Sequence, residues 1–418
     1  IAPWNILALT FTNKAAREMG ERIAALEAPH GTTICTFHSL CVRLLREFAE
    51  PAGLDPNFSI YDRDDQIRLL KQAMEQADLP TDRMSPTAVL AAIGRAKNDL
   101  LTAQAFAERA GDFHSRKVAE AYTQYEALLR DNRALDFDDL LLRMAFLLRD
   151  RPDVRQGLSH RYRYVLIDEY QDTNRSQYII AHGIAMDHDN VCATGDPDQS
   201  IYAWRGADIT NILEFERDYP HATVVRLEEN YRSTQPILSA AGRLIDHNRQ
   251  RKDKRLWTRR AGGPDVLALR VADERDEAAT IISRIQRART DGRRYQDMAV
   301  FYRMNSLSRV LEEALLRAGI PYRIARGVEF YNRKEIKDVL AYLRLLVNPA
   351  DDLSCRRIIN TPTRGIGATS VKRLAAYARR RGVSLLAACR EPDQAGIGTG
   401  PGKKIIAFGQ MIDALASA

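Results

Sequence analysis

The segment GDPDQSIYAWRGADI (195–209) crowds Asp196, Asp198, Gln199, Tyr202, Trp204 and Arg205 into one stretch behind an apolar run, NVCAT. A glutamine side chain both donates and accepts, so Gln199 can sense a γ-phosphate or its attacking water. A few residues on, Tyr202, Trp204 and Arg205 can stack on bases or clamp a nucleic-acid backbone. Upstream, YVLIDEYQDTN (164–174) runs an apolar segment into Asp168 and Glu169. Two adjacent acids at a buried strand tip repel one another and lose solvation unless a cation or proton donor compensates. Mg2+ on nucleotide phosphates would do so, held by a carboxylate and waters. The second carboxylate can then orient and deprotonate a water. In LEENYRS (227–233), Tyr231 offers a face to a purine and Arg232 a guanidinium to a γ-phosphate.

Each of these signals has a plainer reading. An Asp-Glu pair is common at exposed strand ends. Tyr202 and Trp204 can be core aromatics, and Asp196 and Asp198 turn formers. LEENYRS by itself is a helix-capping loop with a surface arginine. A phosphate-cradling GxxxxGK[ST] loop should accompany the acidic tip, and none occurs in these 418 residues. GTGPGKK (398–404) fails as one: Ile397 stands where the first glycine belongs and Lys404 where Ser or Thr is needed. The sequence opens on Ile1, five residues before the first expected strand, and is read as a piece whose start lies upstream. Without the loop, weak or absent ATP turnover is expected of these residues alone.

The elements that must position these groups are legible as a parallel α/β pattern. Strands are expected at ILALT (6–10), TTICT (32–36), YVLI (164–167), NVCAT (190–194), TVVRL (223–227), VLALR (266–270) and MAVFY (298–302). Several end in a polar residue and a turn, and ligands bind at that carboxyl edge of an open α/β sheet. Residues 57–150 read as helical instead. DQIRLLKQAM puts Ile67, Leu70, Ala73 and Met74 on one face, and KVAEAYTQYEALL does so with Val118, Ala121, Tyr122, Tyr125 and Leu128. This is a helical insertion between two strands of one sheet. The helix SLSRVLEEALLRAG is expected to open at a Ser306 cap and stop at Gly319. After NPADD (348–352) the pattern turns helical again.

The formal net charge of +7 leans mildly towards a polyanionic partner. Five scattered cysteines with no CxxC pair point to a reducing, cytoplasmic compartment and against a zinc site or disulfide framework. No apolar run approaches the ~18 residues of a membrane span. The basic run RQRKDKRLWTRR (249–260) reads as a solvated face.

Nine blocks stand in order: ALTFTNKAAREM, TFHSLC, DFDDLL, VLIDEYQDTN, GDPDQSIYAWRGADI, LEENYRST, FYRMNSLSRVLEEAL, FYNRKEIKDVLAYLRLL and TPTRGIGATSVKRL. Together, across essentially the whole chain, they resemble the UvrD/PcrA/Rep-type superfamily 1 DNA helicases. The resemblance implies an α/β fold of two RecA-like parallel-sheet motor domains, each with a helical insertion. The first motor would be 1–56 with 151–228, its insertion 57–150, the second motor 229–348, and the start of the second insertion 349–418. It implies ATP and Mg2+ as cofactors, and single-stranded DNA and single-strand/duplex junctions as partners. Translocation would run 3′ to 5′, in DNA repair or replication.

Carried over by motif, Asp168 and Glu169 would serve Mg2+ and water activation, and Gln199 would couple the γ-phosphate to DNA. Tyr231 would stack on adenine, and Arg232 would be the arginine finger. Phe11, Thr12, Asn13, Lys14, Thr36 and His38 would contact DNA. Tyr202 and Trp204 would stack on bases beside Arg205, and Arg303 and Asn305 would reach DNA from the second motor. TRGIGATS resembles a hairpin whose glycines, Gly365 and Gly367, let backbone N–H groups approach duplex phosphates. The late family motifs and the adenine-reading glutamine motif do not occur here. Three other readings stay open: a helicase subunit of a nuclease complex, a non-catalytic DNA-binding protein, and a P-loop motor acting on protein or RNA.

Overall fold

Strands β1 (Ile6–Thr10), β2 (Thr33–Thr36), β5 (Tyr164–Ile167) and β6 (Val191–Ala193) form one parallel sheet in the order β2-β1-β5-β6. The computed structural model describes residues 1–26, 30–81, 84–249, 251–324 and 333–417. Leu9 pairs with Cys35 on one side and Ile167 on the other, and Ile167 with Ala193. β1 and β5 are the inner strands, which is why their sequences are nearly all apolar. Leu7, Leu9, Val165 and Ile167 are buried, in a core shared with Leu40, Leu44, Met144 and Ile180 from flanking helices. Leu166 points the other way and is 40% exposed, so one face of β5 is only partly covered.

Between β2 and β5 lies the expected insertion, with its own core. Helices Arg63–Gln76, Pro86–Asn98 and Phe113–Asp131 enclose Leu70, Met74, Ile93, Tyr122 and Tyr125. It also holds what its helical pattern did not announce. β3 (Ser59–Tyr61) and β4 (Ala134–Asp136) pair in parallel, Ile60 opposite Leu135. A third core lies between helices Lys334–Val347, Asp352–Ile358, Ala368–Arg381 and Thr399–Ser417. It is stitched to the insertion by polar bonds. Asp351 accepts from Ser59 Oγ (2.9 Å) and Tyr61 OH (2.7 Å), and Arg344 reaches Asp65 at 2.7 Å.

The chain divides into two compact units. The first comprises Ile1–Val225, Asn248–Asp253 and Lys334–Ala418, and so contains all three cores. The second comprises Arg226–His247 and Lys254–Arg333 and is carried by helices Gln235–Ile245, Glu274–Thr290 and Ser308–Arg317. Here the expected second parallel sheet is corrected. Among the described residues, 266–270 and 298–302 form no strand, and neither does 223–227, the strand expected within the first motor. An apolar segment becomes a strand only when neighbours take its N–H and C=O groups, and none of these three is set in register with another. Their apolar side chains are accordingly left open, Phe301 at 92% exposure. Helix Ser308–Arg317 starts two residues later than the expected Ser306 cap, behind a single tight turn, Asn305–Leu307. Gly319 follows it with φ 64°, as a stop signal should. The leading residues of FYNRKEIKDVLAYLRLL, 330–332, lie outside the described residues.

Candidate active site

Four strands running the same way bring four polar turns to one edge of the sheet. β1 ends in Thr10 and leads to Phe11, Thr12, Asn13 and Lys14. Thr12 caps helix Asn13–Ala25 by accepting from Ala15 N–H (3.1 Å). β2 ends in Thr36, whose hydroxyl accepts from Ser39 N–H (3.3 Å) at the start of the helix carrying His38. β5 ends at Asp168-Glu169, and β6 leads to Thr194, Gly195 and Asp196.

The acidic tip is held by the backbone. Asp168 N–H donates to Leu9 O (2.8 Å) and Tyr170 N–H to Thr194 O (3.0 Å). Between them Glu169 adopts a left-handed backbone, φ 53° and ψ 43°, a conformation that costs a non-glycine residue about 1–2 kcal/mol. The two flanking bonds keep it there. Burial, and then the neighbouring Glu169, push the Asp168 carboxyl above its ordinary range. Asp172 is raised for the same two reasons.

Gln171 joins this tip to the next loop. Its Nε2 donates to Glu169 Oε2 (2.8 Å) and its Oε1 accepts from Asp196 N–H (2.9 Å). Asp196 in turn accepts from Gln199 Nε2 at 2.7 Å. Gly195 has no room for a side chain, because a Cβ there would lie 2.6 Å from Gln171 Oε1. The four residues Glu169, Gln171, Asp196 and Gln199 therefore form one hydrogen-bonded chain.

Beyond Gln199 the loop carries its aromatics outward. The ring of Tyr202 lies 5.0 Å from that of Phe11 and 6.4 Å from that of Trp204. Arg205 sits 4.5 Å over the Trp204 ring and 5.5 Å from the Tyr202 ring. Trp204 is nonetheless 66% exposed, so a large π face is open to solvent. Core aromatics they are not. His38 packs edge-on against the exposed ring of Phe137, 5.9 Å away, and burial lowers its pKa.

In the second unit Tyr231 is exposed and its hydroxyl donates to Glu229 Oε2 (3.0 Å). Asn230 Oδ1 accepts from both Arg232 N–H (3.0 Å) and Ser233 N–H (2.8 Å), shaping the turn that presents Arg232. Arg260 donates to Arg232 O at 2.6 Å. Arg303 and Asn305 are exposed residues of the same unit. Gly365, at φ 71°, lies in the first unit, and Gly367 caps helix Ala368–Arg381. Much of the basic run is paired within the chain: Arg251 with Asp198 (3.3 Å) and Arg259 with Glu229 (3.1 Å).

A model of the UvrD/REP helicase N-terminal domain matches residues 1–220, and one of the UvrD-like helicase C-terminal domain matches residues 225–394. The chain belongs to the UvrD/REP helicase family. Its relatives include the ATP-dependent DNA helicase PcrA of Bacillus subtilis (strain 168), 44% identical over 100% of this chain. PcrA of Staphylococcus epidermidis is 44% identical and that of Staphylococcus aureus 43%, each over 99% of this chain. The chain spans 57% of the length of each of these relatives.

In this UvrD/REP helicase chain the sequence reading singled out the ends of the Glu169–Gln199 connection but not Gln171, which completes it. The signal was available: a glutamine two residues past the acid pair, where a purely solvated tip needs none. Phe137, partner of His38, stood within the DFDDLL block but was given no role. Among the described residues no group of three or more His, Cys, Asp and Glu converges as a metal cage. No helix among them is long and apolar enough to cross a membrane.

Proposed function

We propose that this chain provides the motor of an ATP-driven 3′–5′ DNA helicase that moves on single-stranded DNA and opens duplex ahead of it. The observation that carries the reading is the unbroken link from Glu169 through Gln171 and Asp196 to Gln199, which continues into the exposed Tyr202–Trp204–Arg205 cluster. One end is suited to a nucleotide phosphate and the other to stacked bases. The curated relatives' name, ATP-dependent DNA helicase, agrees with it.

The donor set fits Mg2+. Asp168 and Glu169 are short of positive charge, as the raised Asp168 carboxyl records. Asp168 and Glu169 would hold the ion together with nucleotide phosphates and waters. The bound ion would neutralise charge developing on the phosphates. Asp168 would hold the metal, Glu169 would orient the attacking water and take its proton, and Gln199 would report on the γ-phosphate. Tyr231 would stack on adenine and Arg232 would serve as the arginine finger, both in the second motor half, 229–348. Phe11, Thr12, Asn13, Lys14, Thr36 and His38 line the DNA path with Tyr202 and Trp204. Arg303 and Asn305 are further DNA contacts, and Gly365 and Gly367 approach duplex phosphates. The insertions are 57–150 and the region from 349.

The test is ATP hydrolysis by the full-length gene product with and without single-stranded DNA, and unwinding of duplexes bearing a 3′ or a 5′ tail. Glu169→Gln should lower turnover by about a hundredfold or more while single-stranded DNA binding persists. DNA binding without any DNA-stimulated hydrolysis by the parent protein would refute the motor and leave a binding protein.

A further inference from the structure

One residue outside every motif above touches three of the working parts at once. Asn98 is the last residue of helix Pro86–Asn98 in the insertion. Its Oδ1 accepts from Asn174 Nδ2 at 2.6 Å, and its Nδ2 donates to Gly94 O at 2.9 Å and reaches Asp138 Oδ1 at 3.5 Å. Its backbone carbonyl accepts from Ser176 Oγ at 3.1 Å. Asn174 and Ser176 begin the helix that follows the acidic tip. The same amide lies against Gly206, the residue after Arg205: a Cβ at Gly206 would be 3.6 Å from Asn98 Nδ2. Gly206 has φ 87°, the left-handed region that suits glycine. The loop is sewn to the tip segment beside this point, since Asn174 bridges to Ala207 and Asp208 N–H donates to Thr173 O at 2.9 Å.

We propose that Asn98 is a positioning residue that fastens the helical insertion to the junction between the acidic tip and the aromatic-arginine loop. It thereby lets a shift at the nucleotide end be felt by the insertion and the DNA-facing aromatics together. This rests on the helicase reading above. The side chain is suited to the place. Asparagine presents an acceptor to Asn174 and a donor to Gly94 O simultaneously. Aspartate would set a carboxylate against that carbonyl, and leucine would leave Asn174 Nδ2 without its partner. A contiguous run of hydrogen bonds between rigid elements is the physical means of such coupling.

Two variants of the full-length protein test it. Asn98→Ala removes the fastening. Asn174→Ser keeps the helix cap, because serine is a good N-cap, but is too short to reach Asn98. Both should lower the kcat of DNA-stimulated ATP hydrolysis by about tenfold, with KM for ATP and single-stranded DNA affinity unchanged within about threefold. Amides of residues 203–207 should exchange with deuterium about tenfold faster in both. The double variant should be no worse than either single one, because both break the same bond. If one variant does not fold, the other carries the test. Folded variants with kcat and exchange within about twofold of the parent would overturn the proposal. A parent without DNA-stimulated turnover would instead defeat the helicase reading. The exchange measurement would then decide separately whether Asn98 holds the loop, unchanged exchange overturning that as well.

Discussion

Replacing Lys97 with methionine should destabilise the insertion severely, and more so in base than in acid. Lys97 is fully buried, with its Nζ 2.8 Å from Glu126 Oε1, 2.9 Å from Asp136 Oδ2 and 2.7 Å from Asp139 Oδ1. Removing one partner of a buried ion pair costs about 3–5 kcal/mol, because the remaining charge is left unpaired. Methionine keeps the length and apolar stem, so little of the loss would come from a cavity. Burial by itself would raise the Asp136 carboxyl, but Lys97 overcomes it and holds that group below the ordinary range. Asp139 is pushed well above its ordinary range, by burial first and then by Asp136 and Glu126. Without Lys97 the burial penalty, the largest influence on Asp136, is opposed only by hydrogen bonds from Asp139 N–H and Tyr125 OH, and its carboxyl rises above its unfolded value. A folded-state carboxyl raised in this way gives stability that is lost as pH climbs through the folded pKa. The variant should therefore lie about 4 kcal/mol below the parent near pH 8 and appreciably less near pH 5. Urea unfolding followed by circular dichroism at the two pH values measures both. A loss under about 1 kcal/mol near pH 8, or an equal loss at both, would refute the reasoning.

Asp138 is raised to about 7, by burial first and then Asp136, against Lys97, the Asn98 bond and Arg63. Its contribution makes parent stability fall as pH rises from about 4 to about 7, and Asp138→Asn should make that slope shallower in urea titrations, gaining on the parent as pH rises. Gly195→Ala would press a Cβ to 2.6 Å from Gln171 Oε1, 2.9 Å from Ile212 Cδ1 and 3.1 Å from Tyr170 N. A loss of about 1–3 kcal/mol in unfolding free energy is expected, together with reduced DNA-stimulated turnover. Trp204→Ala should weaken single-stranded DNA binding by about 5- to 150-fold, the equivalent of one lost base stack. Fluorescence anisotropy with labelled oligonucleotides reads this, and Trp204→Phe should recover most of it.

What the sequence by itself determined is what repeats locally. ILALT and YVLI announce strands because each is a short apolar run ended by a polar turn, and Leu7, Leu9, Val165 and Ile167 are buried accordingly. Val118, Ala121, Tyr122, Tyr125 and Leu128 mark the inner face of their helix because that face recurs every turn, and all five are buried. The polar ends of the four strands were legible for the same reason, since each interrupts an apolar run. The tertiary structure alone decided the rest. β3 and β4 are three residues each and distant in sequence, so no period betrays their pairing. The strands expected at 266–270 and 298–302 have the right composition, yet composition cannot supply the in-register neighbour a strand requires. Lys97 reads as a solvated charge until Glu126 from one helix, Asp136 at the end of β4 and Asp139 from the helix after it converge on it. Asn98 and Gln171 are alike in this. Their roles lie in partners that only the folded chain brings within hydrogen-bonding distance, and no local pattern encodes a contact made across elements.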